Sequence, residues 1–390
     1  MQASKCHISK FKINNHMAEK TLLKDIFFNK PKIAQIASEI QWVYSSFKKN
    51  EFVRDVVSKF PELELKARIS WIVKCLKKYL PNDYRSAVGV LLKALPAPNN
   101  PNLSDDDFGD FIYAPYAEFV AKNGCTKNDL EFSLQALKNM TVRFSSEDAI
   151  RYFINTFSKE TMRELLAWTK DEHYHVRRLC SEGTRPKLPW SQKINIPVSA
   201  PLPILDNLFS DTTRFVTRSV ANHLNDISKI NPDLVIDTLT KWQKSGKQKP
   251  QEMEYIVRHA LRTLVKHGNP RAMQLLGFSH APRVSVSRFI VPKKVKMNTA
   301  LEFSFTIQAP SDTDIIVDYI IYFQNKLGKL NSKKVFKLKK ISLKKNQPVT
   351  ISKRHPFRQF MTTRTLYAGR HGIEIQINGK SCAKTSFELT

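Results

Sequence analysis

The chain has 390 residues, 42% of them hydrophobic, enough for two or three domains with a buried core and too apolar for a wholly disordered polypeptide. Lys and Arg number 63 against 35 Asp and Glu, a formal charge of +28, so the expected partner is a polyanion: DNA, RNA or an acidic membrane. No run of about 18 apolar residues and no apolar stretch behind a basic start occurs, which argues against a membrane span or a secretory signal.

The first 16 residues, ending before Met17, are polar, basic and aperiodic. They read as part of a flexible arm over residues 1–20, or as translated sequence upstream of the functional start. From 21 to about 277 the apolar residues fall at helical spacing, as in Leu22, Leu23, Ile26, Phe27 and then Ile33, Ile36, Ala37, Ile40. Val176, Val216 and Ile256 recur at intervals of 40, each followed two residues later by Arg178, Arg218 or Arg258, and Asp171 and Asp211 keep the same interval where a helix start needs a cap. That period predicts HEAT-like helix pairs stacked into a solenoid over 21–280, with inner helices lining a concave surface. Steps of i+4 from the arginines place Arg178 and Glu182, then Arg218, Asn222 and Asp226, then Arg258, Arg262 and Lys266, on three polar stripes. Val176, Leu179 and Cys180, Val216, Val220 and Leu224, and Ile256, Ala260 and Leu264 supply the buried faces.

After 277–282 the period changes to two. Leu301, Phe303, Phe305 and Ile307 alternate with polar residues, as do Ile373, Ile375 and Ile377 before the hairpin signal Asn378-Gly379. Further runs near 284–290, 315–323, 335–343, 349–351 and 383–389 bring the total to seven strands, an immunoglobulin-like β-sandwich over 283–390. This segment holds 21 Lys/Arg and 6 Asp/Glu, more than half of the surplus charge. Its surface is expected to grip phosphates. The lysine-rich run over 335–347 reads either as a solvated strand face or as part of that grip.

Neither a phosphate-binding Walker loop nor a dinucleotide fingerprint is present among the 11 glycines. The five cysteines, Cys6, Cys75, Cys125, Cys180 and Cys382, are scattered singly with no zinc spacing, so no metal and no cofactor is expected and a reduced cytosol is. His173, His175 and His223 lack a third ligand at suitable spacing. They read as helix or DNA-contact residues.

The densest mixture of carboxylates, arginines, aromatics and amides is Asp171 to Trp190, DEHYHVRRLCSEGTRPKLPW, followed by RSVANHLNDISK from Arg218. VRRLCSEGTRPKLPW, RSVANHLNDISK and YIVRHALRTLVKHGNPRAMQLLGF resemble the signature blocks of the AlkC family of alkylpurine DNA glycosylases, HEAT-like-repeat relatives of AlkD. The likeness spans about 21–280, and LYAGRHGIEIQING resembles the immunoglobulin-like domain that ends many members.

The resemblance implies a base-excision repair enzyme of a bacterial cytosol or nucleoid, monomeric, acting on double-stranded DNA that carries alkylated bases. Alkylation at N3 of adenine makes the base cationic, so its sugar bond already tends to break toward an oxocarbenium-like sugar and a neutral base. A catalyst then needs carboxylates near the sugar and an aromatic face for the cationic base. By resemblance those groups are Glu182 of the SEG motif, Trp190 of LPW, Glu147 of SSEDAIRYF and Asp226 of HLND. No lysine stands out as a Schiff-base nucleophile, so release of 3-methyladenine, with 3-methylcytosine a further candidate, is expected to leave an abasic site. The expected DNA contacts are Arg177, Arg178, Arg185, Lys187, Arg218, Asn222, His223, Asn225, Lys229, Arg258, Arg262 and Lys266, with Arg358, Arg364 and Arg370 on the sandwich.

Other readings stand beside these. Arg178 and Glu182 are also the spacing of an exposed ion pair, Arg218 and Arg258 of repeat scaffolding, and Trp190 of an ordinary packing residue. A non-enzymatic HEAT scaffold for nucleic acid or an acidic partner shares the fold and charge, but has no reason to set Glu182 and Asp226 among arginines. An RNA-directed enzyme also fits the composition.

Overall fold

The computed structural model of the protein describes residues 22–102, 108–279, 282–359 and 364–390; the arm expected over 1–20 lies outside the described residues. The chain divides into two compact units, Met1–Ile227 with Ser245–Ile256, and Ser228–Lys244 with Val257–Thr390. Helices run from Leu23–Phe27 to Pro270–Leu275 and strands begin with Ser285–Ile290. Among the described residues no helix is long and apolar enough to cross a membrane.

In the first unit the helices come in pairs: Ala114–Gly124 with Leu130–Thr141, Ser158–Trp168 with Tyr174–Gly183, and Leu202–Leu208 with Arg214–Ile227. Short loops, 125–129, 169–173 and 209–213, turn the chain back between partners, the geometry of stacked helical repeats. The Tyr174–Gly183 helix buries Val176, Leu179 and Cys180 and packs beside Arg214–Ile227, which buries Val216, Val220 and Leu224. The 40-residue period reappears as a ladder of ion pairs: Lys138 to Asp171 at 2.7 Å, Arg177 to Asp211 at 2.6 Å, and Arg214 to Glu252. Asp171 and Asp211 do not cap the helices themselves. Each closes the turn before one, accepting the backbone N–H of His173 at 2.9 Å and of Thr213 at 2.8 Å, while the His173 side chain caps Tyr174–Gly183.

The stripe expected from Arg258 to Lys266 does not ride on one helix. Pro250–Ala260 stops, and after Leu261 a separate short helix, Arg262–Lys266, begins. Arg262 turns its guanidinium back onto the His259 carbonyl at the break.

The strands of the second unit are β1 (Ser285–Ile290), β2 (Lys294–Val295), β3 (Ala300–Gln308), β4 (Thr313–Phe323), β5 (Ser332–Leu343), β6 (Val349–Pro356), β7 (Gly369–Ile377) and β8 (Lys380–Leu389). They form two sheets, ordered β1-β3-β6 and β2-β8-β7-β4-β5. The core between them is filled by the alternating residues, Leu301, Phe303, Phe305 and Ile307 with Val317, Tyr319, Ile321, Ile373, Ile375 and Ile377. Seven strands match the seven expected. The eighth, β2, pairs parallel with β8 over two residues, too short to show a period. Asn378 and Gly379 take φ of 46° and 79° and join β7 to β8 as a tight hairpin. The last helices pack on this sandwich: Met273, Phe278 and Ile316 share a cluster, and a Cβ on Gly268 would come within 2.7 Å of the Gly379 backbone.

Candidate active site

Tyr174–Gly183, Arg214–Ile227 and the turn that precedes Ile150–Thr156 bring three of the four expected catalytic residues into one connected cluster. Glu182, near the end of the first helix, accepts from Arg185 Nη1 at 2.5 Å and from Ser219 Oγ at 2.6 Å. Arg185 donates Nε and Nη2 to Asp226 Oδ2 at 2.9 and 2.7 Å. On the other side Arg178 Nη2 lies 3.8 Å from Glu182 Oε2, and its Nη1 donates to Glu147 Oε2 at 2.9 Å. Glu147, Arg178, Glu182, Arg185 and Asp226 therefore form a chain of alternating charge with three carboxylates and two guanidiniums.

Burial sets the chemistry of this chain. Glu182 and Asp226 are each 5% exposed, so the Arg178–Glu182 pair is not the exposed ion pair that its spacing also allowed. Burial alone would raise the Glu182 carboxyl, but the Arg178 and Arg185 guanidiniums, with the Ser219 and Arg185 hydrogen bonds, hold it below the ordinary carboxylate range. It is an anion at neutral pH. Arg178 itself lies over the Phe215 ring at 4.5 Å, and Arg218 over the same ring at 5.5 Å. Phe215 thus forms an apolar, π-bearing base for two cations.

His223 is fully buried behind this cluster. Its Nδ1 donates to the Ser181 carbonyl at 3.0 Å, which leaves Nε2 a bare acceptor with no partner among the described residues. Burial first and the Arg185 charge second push its pKa down to about 4. A buried, neutral imidazole is not a DNA contact, so that expectation is corrected: the ring packs α-helix against α-helix.

Trp190, the fourth expected catalytic residue, lies apart from the carboxylates' hydrogen-bonded chain. The residue is 76% exposed and its backbone takes φ of 65°, the left-handed region that a tryptophan rarely adopts. The backbone is held there from below. The Trp190 carbonyl accepts from Lys66 Nζ, which also pairs with Asp148 at 2.9 Å. An exposed aromatic on a strained, tethered turn is no ordinary packing residue.

The expected DNA contacts divide by what the structure does with them. Arg177 is corrected to a scaffold residue: its guanidinium is occupied by Asp211, Thr213 and the carbonyls of Asp171 and Glu172. Arg178 and Arg185 are bound to carboxylates, and Asn225 is buried. Arg218 and Asn222 are half-buried and Lys187 is exposed in the first unit. In the second unit Lys229, Arg258 and Lys266 are exposed and Arg262 is half-buried. On the sandwich Arg358 and Arg370 are exposed, while Arg364 stacks on Phe323 at 3.8 Å and donates to Ser332 Oγ at 3.1 Å. His173 and His175 stay on the helix start, and among the described residues no group of three His, Cys, Asp or Glu is placed to hold a metal ion.

Sequence reasoning missed Ser219, Ser145, Phe215 and Arg151. Ser145 Oγ donates to Glu147 Oε2 at 2.8 Å, and the Ser219 hydroxyl links Ser181 to Glu182. A signal for Ser219 existed: it stands four residues before His223 and seven before Asp226, on one helical face.

Residues 117–264 match the family model described as DNA alkylation repair enzyme, and residues 285–390 match that of the C-terminal Ig-like domain of uncharacterised protein YhaZ. Over 372 residues the chain is 33% identical to the uncharacterized protein YhaZ of Bacillus subtilis strain 168, spanning 94% of this chain and 99% of that one. Its fold superposes on the Pseudomonas fluorescens alkylpurine DNA glycosylase AlkC bound to DNA containing an abasic site analog, with a TM-score of 0.86 and 33% identity over 95% of this chain and 100% of that one. Likeness at that level along the whole of both relatives, with the helical region and the terminal sandwich in the same order, means that the chain belongs to the AlkC and YhaZ family of DNA alkylation repair proteins.

Proposed function

We propose that the protein is a monofunctional, metal-independent DNA glycosylase that hydrolyses the glycosidic bond of N3-alkylated bases in double-stranded DNA, with 3-methyladenine as a substrate and 3-methylcytosine as a further candidate. The observation that carries this reading is Glu182, a buried carboxylate kept ionised by Arg178 and Arg185. A carboxylate fixed in its ionised form stabilises a cation that forms beside it. The oxocarbenium-like sugar is that cation.

In this reading the exposed Trp190 indole faces the cationic base by cation–π contact. The bond from sugar C1′ to the base nitrogen breaks with its electron pair going to the base, which leaves neutral. Water adds to C1′ and gives a proton to a carboxylate. In this reading Glu147 takes that proton, since 27% of its side chain is exposed against 7% of that of Glu182 and its Oε1 accepts no hydrogen bond among the described residues. Asp226 and Arg185 hold Glu182 in place. A scaffold that only gripped phosphate or an acidic partner would gain nothing from three carboxylates among arginines.

The test is incubation of the full chain with methylated duplex DNA in the presence of a chelator, with the released bases identified. Release of 3-methyladenine with strands left intact until alkali treatment is expected. Loss of activity in chelator restored by zinc or iron would overturn the metal-free chemistry, spontaneous nicking the monofunctional one, and no release the glycosylase reading itself.

A further inference from the structure

One fully buried cation stands near the carboxylate chain without a direct ion pair to it. Arg151, in the helix Ile150–Thr156, is 0% exposed and has no carboxylate in ion-pair contact among the described residues. All its hydrogen bonds go to backbone carbonyls of two other segments. Nη1 donates to Gly183 O at 3.0 Å and Arg185 O at 2.9 Å, at the end of the Glu182 helix, and Nε donates to Gln192 O at 2.6 Å, two residues beyond Trp190. One turn later Asn155 continues the seam: its Nδ2 donates to Lys193 O at 2.8 Å and its Oδ1 accepts Asn195 N–H at 2.9 Å. Helix-end carbonyls lack intrahelical partners and carry partial negative charge, which suits a guanidinium.

The approach that makes this possible depends on a glycine. A Cβ on Gly183 would lie 2.5 Å from Ile150 Cγ2, so the absent side chain lets the Arg151 helix close on the Glu182 helix. A planar fork of donors can serve carbonyls on both sides of such a seam. A lysine offers one compact ammonium.

We propose that Arg151 is a positioning residue, which locks the Trp190 turn to the end of the Glu182 helix and so fixes where the exposed indole stands relative to the carboxylate. The inference rests on the glycosylase reading only for its effect on rate; its effect on the loop stands apart from it. Arg151 touches no base or sugar. It acts through the backbone of residues 183–192, and Lys66 on the Trp190 carbonyl is the second tether.

The experiment uses the full chain with Arg151→Lys, and Asn155→Ala as a milder variant should the first fold poorly. The loop carries trypsin sites at Lys187 and Lys193, both exposed. Released from its seam it should be cut there on the order of tenfold faster at a temperature well below the melting point, since cleavage follows the population of the opened segment. On single-turnover base release, Arg151→Lys should lower the rate about tenfold in the native background and less than about threefold when Trp190→Ala is already present, the coupling of residues that act through one another. Unchanged cleavage at Lys187 and Lys193, or equal rate losses in the two backgrounds, would overturn the proposal. Should the protein release no base at all, the glycosylase reading fails while faster cleavage still supports the lock and unchanged cleavage still removes it.

Discussion

Glu182 and Asp226 share one guanidinium: Arg185 reaches Glu182 Oε1 at 2.5 Å with one arm and Asp226 Oδ2 at 2.7 Å with the other. The two carboxylates stand on neighbouring helices, so the shared cation both staples the helices and stops two buried anions from repelling.

Replacing Glu182 by Gln keeps the shape of the side chain and removes its charge. Single-turnover base release should fall by roughly 10²-fold or more, the scale of losing one preorganised electrostatic stabiliser. Affinity for duplex DNA should stay level or rise, because one negative charge near phosphates is gone. A native rate in Glu182→Gln would return Glu182 to a purely structural ion pair.

The acid limb of the pH–rate profile should lie below the ordinary carboxylate range, since Arg178 and Arg185 outweigh the burial that would raise Glu182. By linkage, a carboxylate lowered in the folded state stabilises the protein above its unfolded pKa, and that contribution is lost as pH falls through the folded value. Arg185→Gln should therefore move the acid limb to higher pH and lower stability by about 3 kcal/mol, the cost of leaving a buried charge without its partner. Rate profiles from about pH 3 to 8 and urea melts of the two proteins check both parts.

Gly183→Ala should be costly although alanine favours helices. Its Cβ would meet Ile150 Cγ2 at 2.5 Å, and a β-branched side chain cannot swing that methyl aside, so overpacking of about 1–3 kcal/mol is expected. Adding Ile150→Leu removes the offending methyl from Cβ and should recover most of the loss. Urea denaturation of the single and double variants measures the recovery.

His223 is buried neutral, with a pKa pushed down to about 4. The unfolded chain binds a proton at a higher pH than the folded one, so stability should fall as pH drops from about 6.5 toward 4, by up to about 1.4 kcal/mol per pH unit for this one group. His223→Asn keeps a donor for the Ser181 carbonyl and should flatten the slope by that much. Equal slopes in the two proteins would show that the ring is already charged or exposed.

On the sandwich, Arg358 and Arg370 are exposed while Arg364 is held by Phe323 and Ser332. If the first two contact phosphates, changing both to Gln should reduce the log–log salt slope of duplex binding by about 1.8, at roughly 0.9 per contact. Damaged and undamaged duplexes should lose affinity alike, and the rate at saturating protein should change little. Fluorescence titrations at several salt concentrations decide it.

Periodicity, charge and local turn chemistry were legible from the residues alone. The 40-residue recurrence of Val176, Val216 and Ile256 marks buried faces, the alternation in β3 and β7 marks the sandwich core, and Asn378-Gly379 marks the hairpin, because each is a property of a short segment and its own backbone. Glu147, Glu182, Trp190 and Asp226 were legible as a group only through the resemblance of their motifs. What the residues could not reveal is which polar side chains meet across helices. Arg177 and Arg178 are adjacent in the chain, yet one completes a repeat-ladder pair with Asp211 and the other joins Glu147 to Glu182. Ser219 finds Glu182 across 37 residues and Arg151 finds Gln192 across 41. Helical spacing decides which face a residue occupies, but partners this far apart in the chain are chosen by how closely the helices stack. At Gly183 that closeness depends on a missing Cβ, which no periodic pattern records.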